Sequence, residues 1–230
     1  MSRWYFSVTE IIIRQLGLQE YYPTWHAMQT LTENRTNDQA DEIWLVQHPP
    51  VFTLGRSAKE DHILDPGTIP VIRIDRGGEV TYHGPGQLIV YVMLDIKRLQ
   101  LGIRPLVTLL ENSVISVLSG YAIAASAKRE APGVYVHDRK IASLGLRIRK
   151  GCSFHGLSLN IDMDLNPFRR IHPCGHRDLE VTQMRELTAD ANINKIGMEI
   201  SNYLTHTLEY DTLHVAGNAD NEQALLRYRQ

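Results

Sequence analysis

The chain has only two cysteines in 230 residues, Cys152 and Cys174, which are too few for a disulfide framework. It has no block of basic residues and a formal net charge of −2, so the composition gives no support for nucleic-acid binding. No apolar run approaches the ~20 residues of a membrane-spanning helix, and the first five residues do not lead into a signal-peptide apolar stretch. We therefore expect a cytoplasmic protein without nucleic-acid or membrane partners.

What is present is typical of an ordinary globular domain, with 43% hydrophobic and 22% charged residues and no internal repeat or obvious linker. Helical periodicity predicts helices over about 20–36, from Pro105 to Gly120, and from Ile193 to Leu204. Strand-like runs lie at 43–46, 51–54, 71–74, 88–94, 134–136, 141–149 and 153–161. This mixture predicts a single α/β (α+β) domain over residues 1–215, with a central mixed or antiparallel sheet flanked by helices. The polar tail, 216–230, is expected to be poorly ordered.

The most informative segment runs from Arg76 to Gln87, where glycines and prolines surround an arginine, a threonine hydroxyl and an imidazole. The continuous apolar run Leu88–Leu94 follows it and predicts a strand that is buried on both faces. Polar groups on a tight loop held by a core strand are a common arrangement for binding. The alternative is a hairpin turn with incidental polar residues.

Cys174 is the stronger candidate for a reactive thiol, because it lies between Pro173 and Gly175 with His172 and His176 on either side. A partly polar setting of this kind favours the thiolate. Cys152, at the start of a predicted strand, is expected to be structural. His172, Cys174 and His176 could also bind a metal, but no second ligand pair is spaced to complete the three or four ligands that zinc needs.

A reactive Cys174 needs a partner that takes its proton, and His83, His155, His172 and His176 are all available. Lys140 is a less obvious candidate acid and base, because it precedes the apolar segment Ile141–Gly145. An ammonium group drawn into such surroundings can exchange its proton near neutral pH. The alternative is a surface lysine that flanks a hairpin turn at His137 and Asp138.

These segments together resemble a known family. Arg76–Tyr91, Arg139–Arg149 and Gly151–Asn160, followed by Pro173-Cys174-Gly175, are similar in order and spacing to the sequence blocks of the lipoyl(octanoyl) transferases. These enzymes are the octanoyl-[acyl-carrier-protein]:protein N-octanoyltransferases of lipoate biosynthesis. The resemblance covers roughly residues 40 to 190, and its first block is also similar to lipoate and biotin protein ligases, which share the fold.

The resemblance implies transfer of an octanoyl group from acyl carrier protein to a lysine of a lipoyl domain, in 2-oxoacid dehydrogenases or the glycine-cleavage H protein. Cys174 would be the nucleophile that carries the acyl group as a thioester, and Lys140 its acid and base. His172 and His176 are given no catalytic role. Neither ATP nor a metal would be needed, and we expect a monomer. The residues implied to bind the substrate are Arg76, Gly77, Gly78, Glu79, Val80, Thr81, Tyr82, His83, Ser143, Leu144, Gly145, Gly156, Leu157 and Ser158.

Three other functions stay open from the sequence. An ATP-dependent lipoate ligase would tolerate loss of Cys174, although no P-loop pattern is present. A non-catalytic module that binds lipoyl domains would form no acyl-enzyme. A cysteine hydrolase would release the acyl group to water.

Overall fold

The computed structural model describes residues 10–173, 179–217, 220, 221, 224 and 228. The predicted nucleophile Cys174 and its neighbour His176 lie outside the described residues. Within them, the helices are α1 (Tyr21–Asn34), α2 (Ile103–Gly120) and α3 (Ile193–Thr207). The strands are β1 (Glu10–Leu18), β2 (Asp41–Gln47), β3 (Val51–Leu54), β4 (Val71–Arg73), β5 (Val80–His83), β6 (Gln87–Met93), β7 (Ser126–Ala127), β8 (Gly133–Val136), β9 (Arg139–Arg149), β10 (Cys152–Asn160) and β11 (Thr212–Ala216).

The main sheet has the strand order β11-β1-β2-β6-β10-β9-β8-β7. Strand β1 pairs in parallel with both β11 and β2, whereas the pairs from β2 to β7 are antiparallel. A smaller sheet of order β4-β3-β5 lies beside it. The prediction of one α/β domain built on a mixed sheet is therefore confirmed.

Strand β6 is the centre of the core, and each of its residues is buried. Val90 and Val92 pack with apolar residues of α2 and α3 on one face. Ile89, Tyr91 and Met93 pack on the other face, where α1 contributes its own apolar residues. The prediction of a strand buried on both faces is confirmed. The residues that follow Arg76–Gln87, which we call the glycine segment, therefore lie deep in the molecule.

Two hairpin turns hold β8, β9 and β10 in register. His137 and Asp138 have φ values of 48° and 64°, and Lys150 and Gly151 have φ values of 51° and 82°. Two consecutive residues with positive φ are what a two-residue hairpin turn needs to match the twist of its strands. The turn at His137 and Asp138 was predicted from the sequence and is confirmed.

One prediction about the glycine segment is wrong. Residues 76–87 do not form a single loop, because Val80–His83 is strand β5 and pairs with β3 in the smaller sheet. The flanking glycines make the turns at either end of this strand. Pairing with β3 buries all four of its residues, so the segment is anchored at its middle as well as by the strand that follows.

The predicted tail, 216–230, lies mostly outside the described residues. Those that are described contact the main sheet: Asn221 donates a hydrogen bond to the Gln15 carbonyl at 3.0 Å, and the Tyr228 ring stacks on Trp44 with centroids 6.1 Å apart. In the part of the chain that the structure describes, no helix combines the length and apolar character needed to cross a membrane.

Candidate active site

A cavity of about 410 Å³ lies between the glycine segment, which includes β5, and strands β6, β9 and β10. Every predicted substrate-binding residue lines this cavity except Tyr82. The Tyr82 ring instead contacts Phe52 and Phe168, each with centroids 5.5 Å apart. Alternation along β5 puts Tyr82 on the face opposite to Thr81 and His83, where it packs in an apolar cluster with Phe52 and Phe168. Val80 belongs to the same cluster but also borders the cavity.

The cavity also has walls that the sequence did not single out. They come from α1, α2, β6, β9, β10 and the segment before β8, and are Tyr21, Ile89, Tyr91, Ile103, Val107, Glu130, Ala131, Pro132, Leu146 and His155. Most of these residues are apolar or aromatic and look like ordinary core positions in the sequence. Glu130 and His155 are the exceptions, and His155 is one of the four histidines that the sequence offered as a proton acceptor for Cys174.

Lys140 lies in the cavity wall and is only 4% exposed, so it is not a solvated surface lysine. Its ammonium nitrogen is 5.4 Å from the centre of the Tyr135 ring. The backbone is held on both sides, since the Lys140 N–H donates to the Glu180 carbonyl at 2.8 Å and the Lys140 carbonyl accepts from Thr182 at 3.0 Å. Lys140 is therefore fixed by the segment that follows the predicted nucleophile in the sequence.

A β-bulge decides where the Lys140 side chain points. Tyr135 pairs with Lys140, but the next residue back, Val134, pairs with Ala142, so Ile141 is the extra residue. The bulge places Lys140 on the same face of the sheet as Ser143, where regular alternation would have put it on the opposite face. The face that Lys140 joins is the one that carries the cavity.

Gly133 makes room for this lysine. Its φ is 146°, and a Cβ atom there would overlap Lys140 Cε and lie 2.8 Å from the Ala142 carbonyl oxygen. Conformation and space both require glycine at this position.

Small residues make the floor of the cavity. Ser143 pairs with Ser158 and Gly145 pairs with Gly156 across β9 and β10. A side chain on Gly156 would overlap the Val90 carbonyl oxygen. The serines and glycines among the predicted site residues of these two strands leave space, whereas Leu144, Leu157 and the larger residues around them form the walls.

Arg76 is almost fully buried, at 8% exposed. Its Nη2 donates to the Thr53 carbonyl and hydroxyl oxygens, both at 2.9 Å, and its Nη1 donates to the Gly77 carbonyl at 3.0 Å. These bonds tie the glycine segment to the smaller sheet. The arginine thereby shapes the wall of the cavity.

Two buried histidines beside the cavity are neutral. Burial lowers the pKa of His83 to about 3, with a contribution from nearby His48, and lowers the pKa of His48 to about 4. His48 Nδ1 donates to the Gln19 carbonyl at 2.6 Å, so its Nε2 accepts from the Tyr91 hydroxyl at 2.7 Å. These imidazoles can orient neighbouring groups but carry no positive charge at neutral pH.

A continuous chain of hydrogen bonds connects His83, in the cavity wall, with the backbone of Lys140. His83 Nδ1 donates to Gln87 Oε1 at 2.7 Å, and Gln87 Nε2 donates to Asn160 Oδ1 at 2.9 Å. Asn160 Nδ2 donates to the Thr182 carbonyl at 2.9 Å, and the Thr182 N–H donates to the Lys140 carbonyl. Because buried amides are costly to leave unpaired, this chain fixes the position of β9 relative to β6 and β10.

Cys152 and His172, which the sequence analysis also considered, do not line the cavity. Cys152 is 6% exposed, and burial raises the pKa of its thiol, which agrees with a structural role. The His172 N–H donates to the His62 carbonyl at 2.8 Å. Among the described residues, no three His, Cys, Asp or Glu side chains converge as metal ligands; His176 and Cys174 are not among them.

Comparison with known proteins gives a consistent picture. The family model "Lipoyl protein ligase A/B catalytic domain" matches residues 20–205. The octanoyltransferase of Shewanella oneidensis is 58% identical over 205 residues, which is 89% of this chain and 94% of that protein. The octanoyltransferase of Shewanella sediminis is 54% identical over 90% of this chain and 94% of its own length.

Solved structures with 13–15% sequence identity share the fold. A lipoate-protein ligase A bound with ATP superposes with a TM-score of 0.75 over 97% of this chain and 94% of that chain. A bipartite lipoate protein ligase of Thermoplasma acidophilum, studied with its E2 lipoyl domain, gives 0.75 over 96% and 92%. Biotin protein ligase of Aquifex aeolicus gives 0.51 over 95% and 74%. The predicted relation to the ligase fold is confirmed.

Proposed function

The chain belongs to the lipoyl protein ligase A/B catalytic domain family and acts as an octanoyltransferase in lipoate biosynthesis; we propose that it carries the octanoyl group on Cys174. The donor would be octanoyl-acyl carrier protein. The acceptor would be a lysine on the lipoyl domain of a 2-oxoacid dehydrogenase or on the glycine-cleavage H protein. We place the reaction in the cytoplasm, without ATP or a metal.

The buried position of Lys140 is the observation that carries this proposal. Its side chain lies in the wall of a cavity that the glycine segment, Ser143–Gly145 and Gly156–Ser158 also line. Cys174 is six residues before Glu180, whose carbonyl accepts the Lys140 N–H. A lysine with its backbone fixed on both sides is suited to exchange protons with one nucleophile repeatedly.

In the first half-reaction, the Lys140 amine takes the proton of the Cys174 thiol. The thiolate attacks the thioester carbonyl carbon, and a tetrahedral oxyanion forms. Its collapse breaks the bond to the pantetheine sulfur, which leaves with the proton held by Lys140. One thioester replaces another, so the step is close to isoenergetic and requires no nucleotide.

In the second half-reaction, the neutral amine of the acceptor lysine attacks the Cys174 thioester. Lys140 accepts the proton that this nitrogen loses and returns it to the departing Cys174 sulfur. An amide replaces a thioester, which makes the step favourable. Two half-reactions separated by an acyl-enzyme give ping-pong kinetics.

The oxyanion requires nearby hydrogen-bond donors, and we propose backbone N–H groups of the glycine segment. The Gly77 N–H already donates to the Leu146 carbonyl at 2.9 Å. None of the described residues accepts the N–H of Gly78, which also lines the cavity. Gly78 is therefore the better candidate of the two.

The test is the intact mass of the purified protein after mixing with octanoyl-acyl carrier protein in the absence of ATP. We expect one octanoyl group on the wild type and none on Cys174→Ala. Cys152→Ala is the matched control, and it should be acylated like the wild type. Absence of any adduct, together with lipoyl-domain modification that requires ATP and free octanoate, would replace the transferase by a ligase.

A further inference from the structure

One row of paired residues crosses the cavity from the lysine to the centre of the sheet. Gly133 pairs with Ser143, Ser143 with Ser158, and Ser158 with Ile89. Residues directly opposite each other in neighbouring strands present their side chains on the same face. We call these four residues the acyl row, because all except Gly133 line the cavity and Gly133 borders Lys140.

The lysine marks one end of the acyl row. A Cβ atom on Gly133 would lie 3.1 Å from the Lys140 ammonium nitrogen. The two residues in the middle of the row, Ser143 and Ser158, have small side chains. The far end is closed by Ile89, which is 2% exposed and packs in the core cluster of Trp44, Met93 and Phe154.

The length of the row matches an eight-carbon chain. Three strand spacings of ~4.8 Å separate Gly133 from Ile89 by about 14 Å. An extended octanoyl chain spans roughly 9 Å from its carbonyl carbon to its methyl group, because each of its seven C–C bonds of ~1.5 Å advances about 1.3 Å. The remaining length, about 5 Å, is near one van der Waals contact of ~4 Å between the methyl group and Ile89.

We propose that Ile89 determines the acyl-chain length, by closing the acyl row at the distance that an octanoyl group reaches from Lys140. Ser143 and Ser158 keep the row open up to that point. The inference rests on the proposed function, since it takes the reacting carbonyl to lie beside Lys140. Chain-length selection would then depend on one core residue, and not on the glycine segment or on Cys174 and Lys140.

The experiment offers an equimolar mixture of acyl carrier proteins that bear six-, eight-, ten- and twelve-carbon chains, and measures the acyl-enzymes by intact mass. Ile89→Ala should raise the ten- to eight-carbon ratio about tenfold over the wild type, the factor expected for two more buried methylene groups. Ser158→Val should change the ratio in the opposite direction, toward six carbons.

Ile43→Ala is the matched control. Ile43 is 0% exposed in the adjacent strand β2, and it packs on the opposite face of the sheet. It should lose stability as Ile89→Ala does while keeping the wild-type chain-length profile. If Ile89→Ala does not fold, Ile89→Val gives the same shift on a smaller scale.

An unchanged profile in Ile89→Ala, or in Ile89→Val where Ile89→Ala does not fold, would overturn the inference. The octanoyl adduct on the wild type would then still support the proposed function. Failure of the wild type to accept any chain would overturn both, so the two failures are distinguished by the wild-type sample in the same series.

Discussion

At the scale of single residues, His155 shows how the backbone brings a polar group to the cavity. It lies within β10 with a φ of 61°, a conformation that a residue other than glycine rarely adopts in a strand. Its alternating neighbours Leu157 and Leu159 belong to the core beneath α2 and α3. The His155 ring instead contacts Asp75, with Nε2 donating to Oδ1 at 3.0 Å. The strained φ therefore turns this imidazole toward Asp75, and His155 forms part of the cavity wall.

Asp75 should make stability depend on pH in the acid range. Burial alone would raise its pKa, but hydrogen bonds from His155 and Trp25 outweigh that effect and lower it to about 2. A depressed pKa contributes stability above the unfolded value near 4, and that contribution is lost as the pH falls toward 2. We expect Asp75→Asn to cost about 1–2 kcal/mol above pH 4, after allowance for solvent screening, and progressively less below it.

Urea unfolding of Asp75→Asn and the wild type between pH 2.5 and 6 measures this difference. Asp38→Asn, at an exposed carboxylate, is the control and should change little at any pH. A stability difference that grows as the pH falls would contradict the account of Asp75.

Lys140 is proposed to act by releasing and accepting a proton, so a fixed positive charge should not replace it. Arginine keeps its proton at neutral pH. We expect both Lys140→Arg and Lys140→Ala to slow single-turnover acylation by roughly 10²- to 10⁴-fold. Lys128→Ala is a suitable control, because Lys128 also approaches the Tyr135 ring, at 4.5 Å, but from an exposed position. Wild-type rates in Lys140→Arg would show that charge alone is sufficient.

At the scale of elements, the bulge between β8 and β9 positions the site. It reverses the side on which Lys140 would otherwise lie. The turn at His137 and Asp138 closes this hairpin, and Gly133 opposes the lysine side chain. A change at Gly133 should therefore affect stability and activity together.

Gly133→Ala should destabilise the fold by about 1–3 kcal/mol, because the added methyl group meets Lys140 and the β9 backbone. Acylation should also slow, since the lysine must move. Gly120→Ala, with open space around the new Cβ, should change neither. Thermal unfolding and single-turnover acylation of both variants provide the measurement, and an active, stable Gly133→Ala would contradict the role given to Gly133.

Elements with a local pattern could be predicted from the sequence, and elements defined by distant partners could not. Strands β6, β9 and β10 follow from apolar periodicity and from the turns that flank them. Strands β1 and β11 were missed, because they pair with each other across about two hundred residues and have irregular burial patterns. Strand β5 was taken as loop, because the surrounding glycines hide its pairing with β3.

At the scale of the whole molecule, the cavity exists only after the two sheets and α1 come together. The predicted substrate-binding residues came from three sequence blocks that resemble those of the lipoyl(octanoyl) transferases, and all of them except Tyr82 line the cavity. The walls could not be predicted, because Tyr21, Ile89 and Tyr91 are indistinguishable from core residues until strand register places them. The role of Cys174 stays a prediction, since this residue lies outside those that the structure describes.

The central claim is that one enzyme-bound octanoyl group passes directly to a lipoyl domain. The most direct test is to prepare the octanoyl-enzyme, remove the donor, add a lipoyl domain without ATP, and follow both masses with time. We predict that the domain gains one octanoyl group at the rate at which the enzyme loses it. Release of free octanoate with an unmodified domain, or transfer only after ATP is added, would contradict the claim.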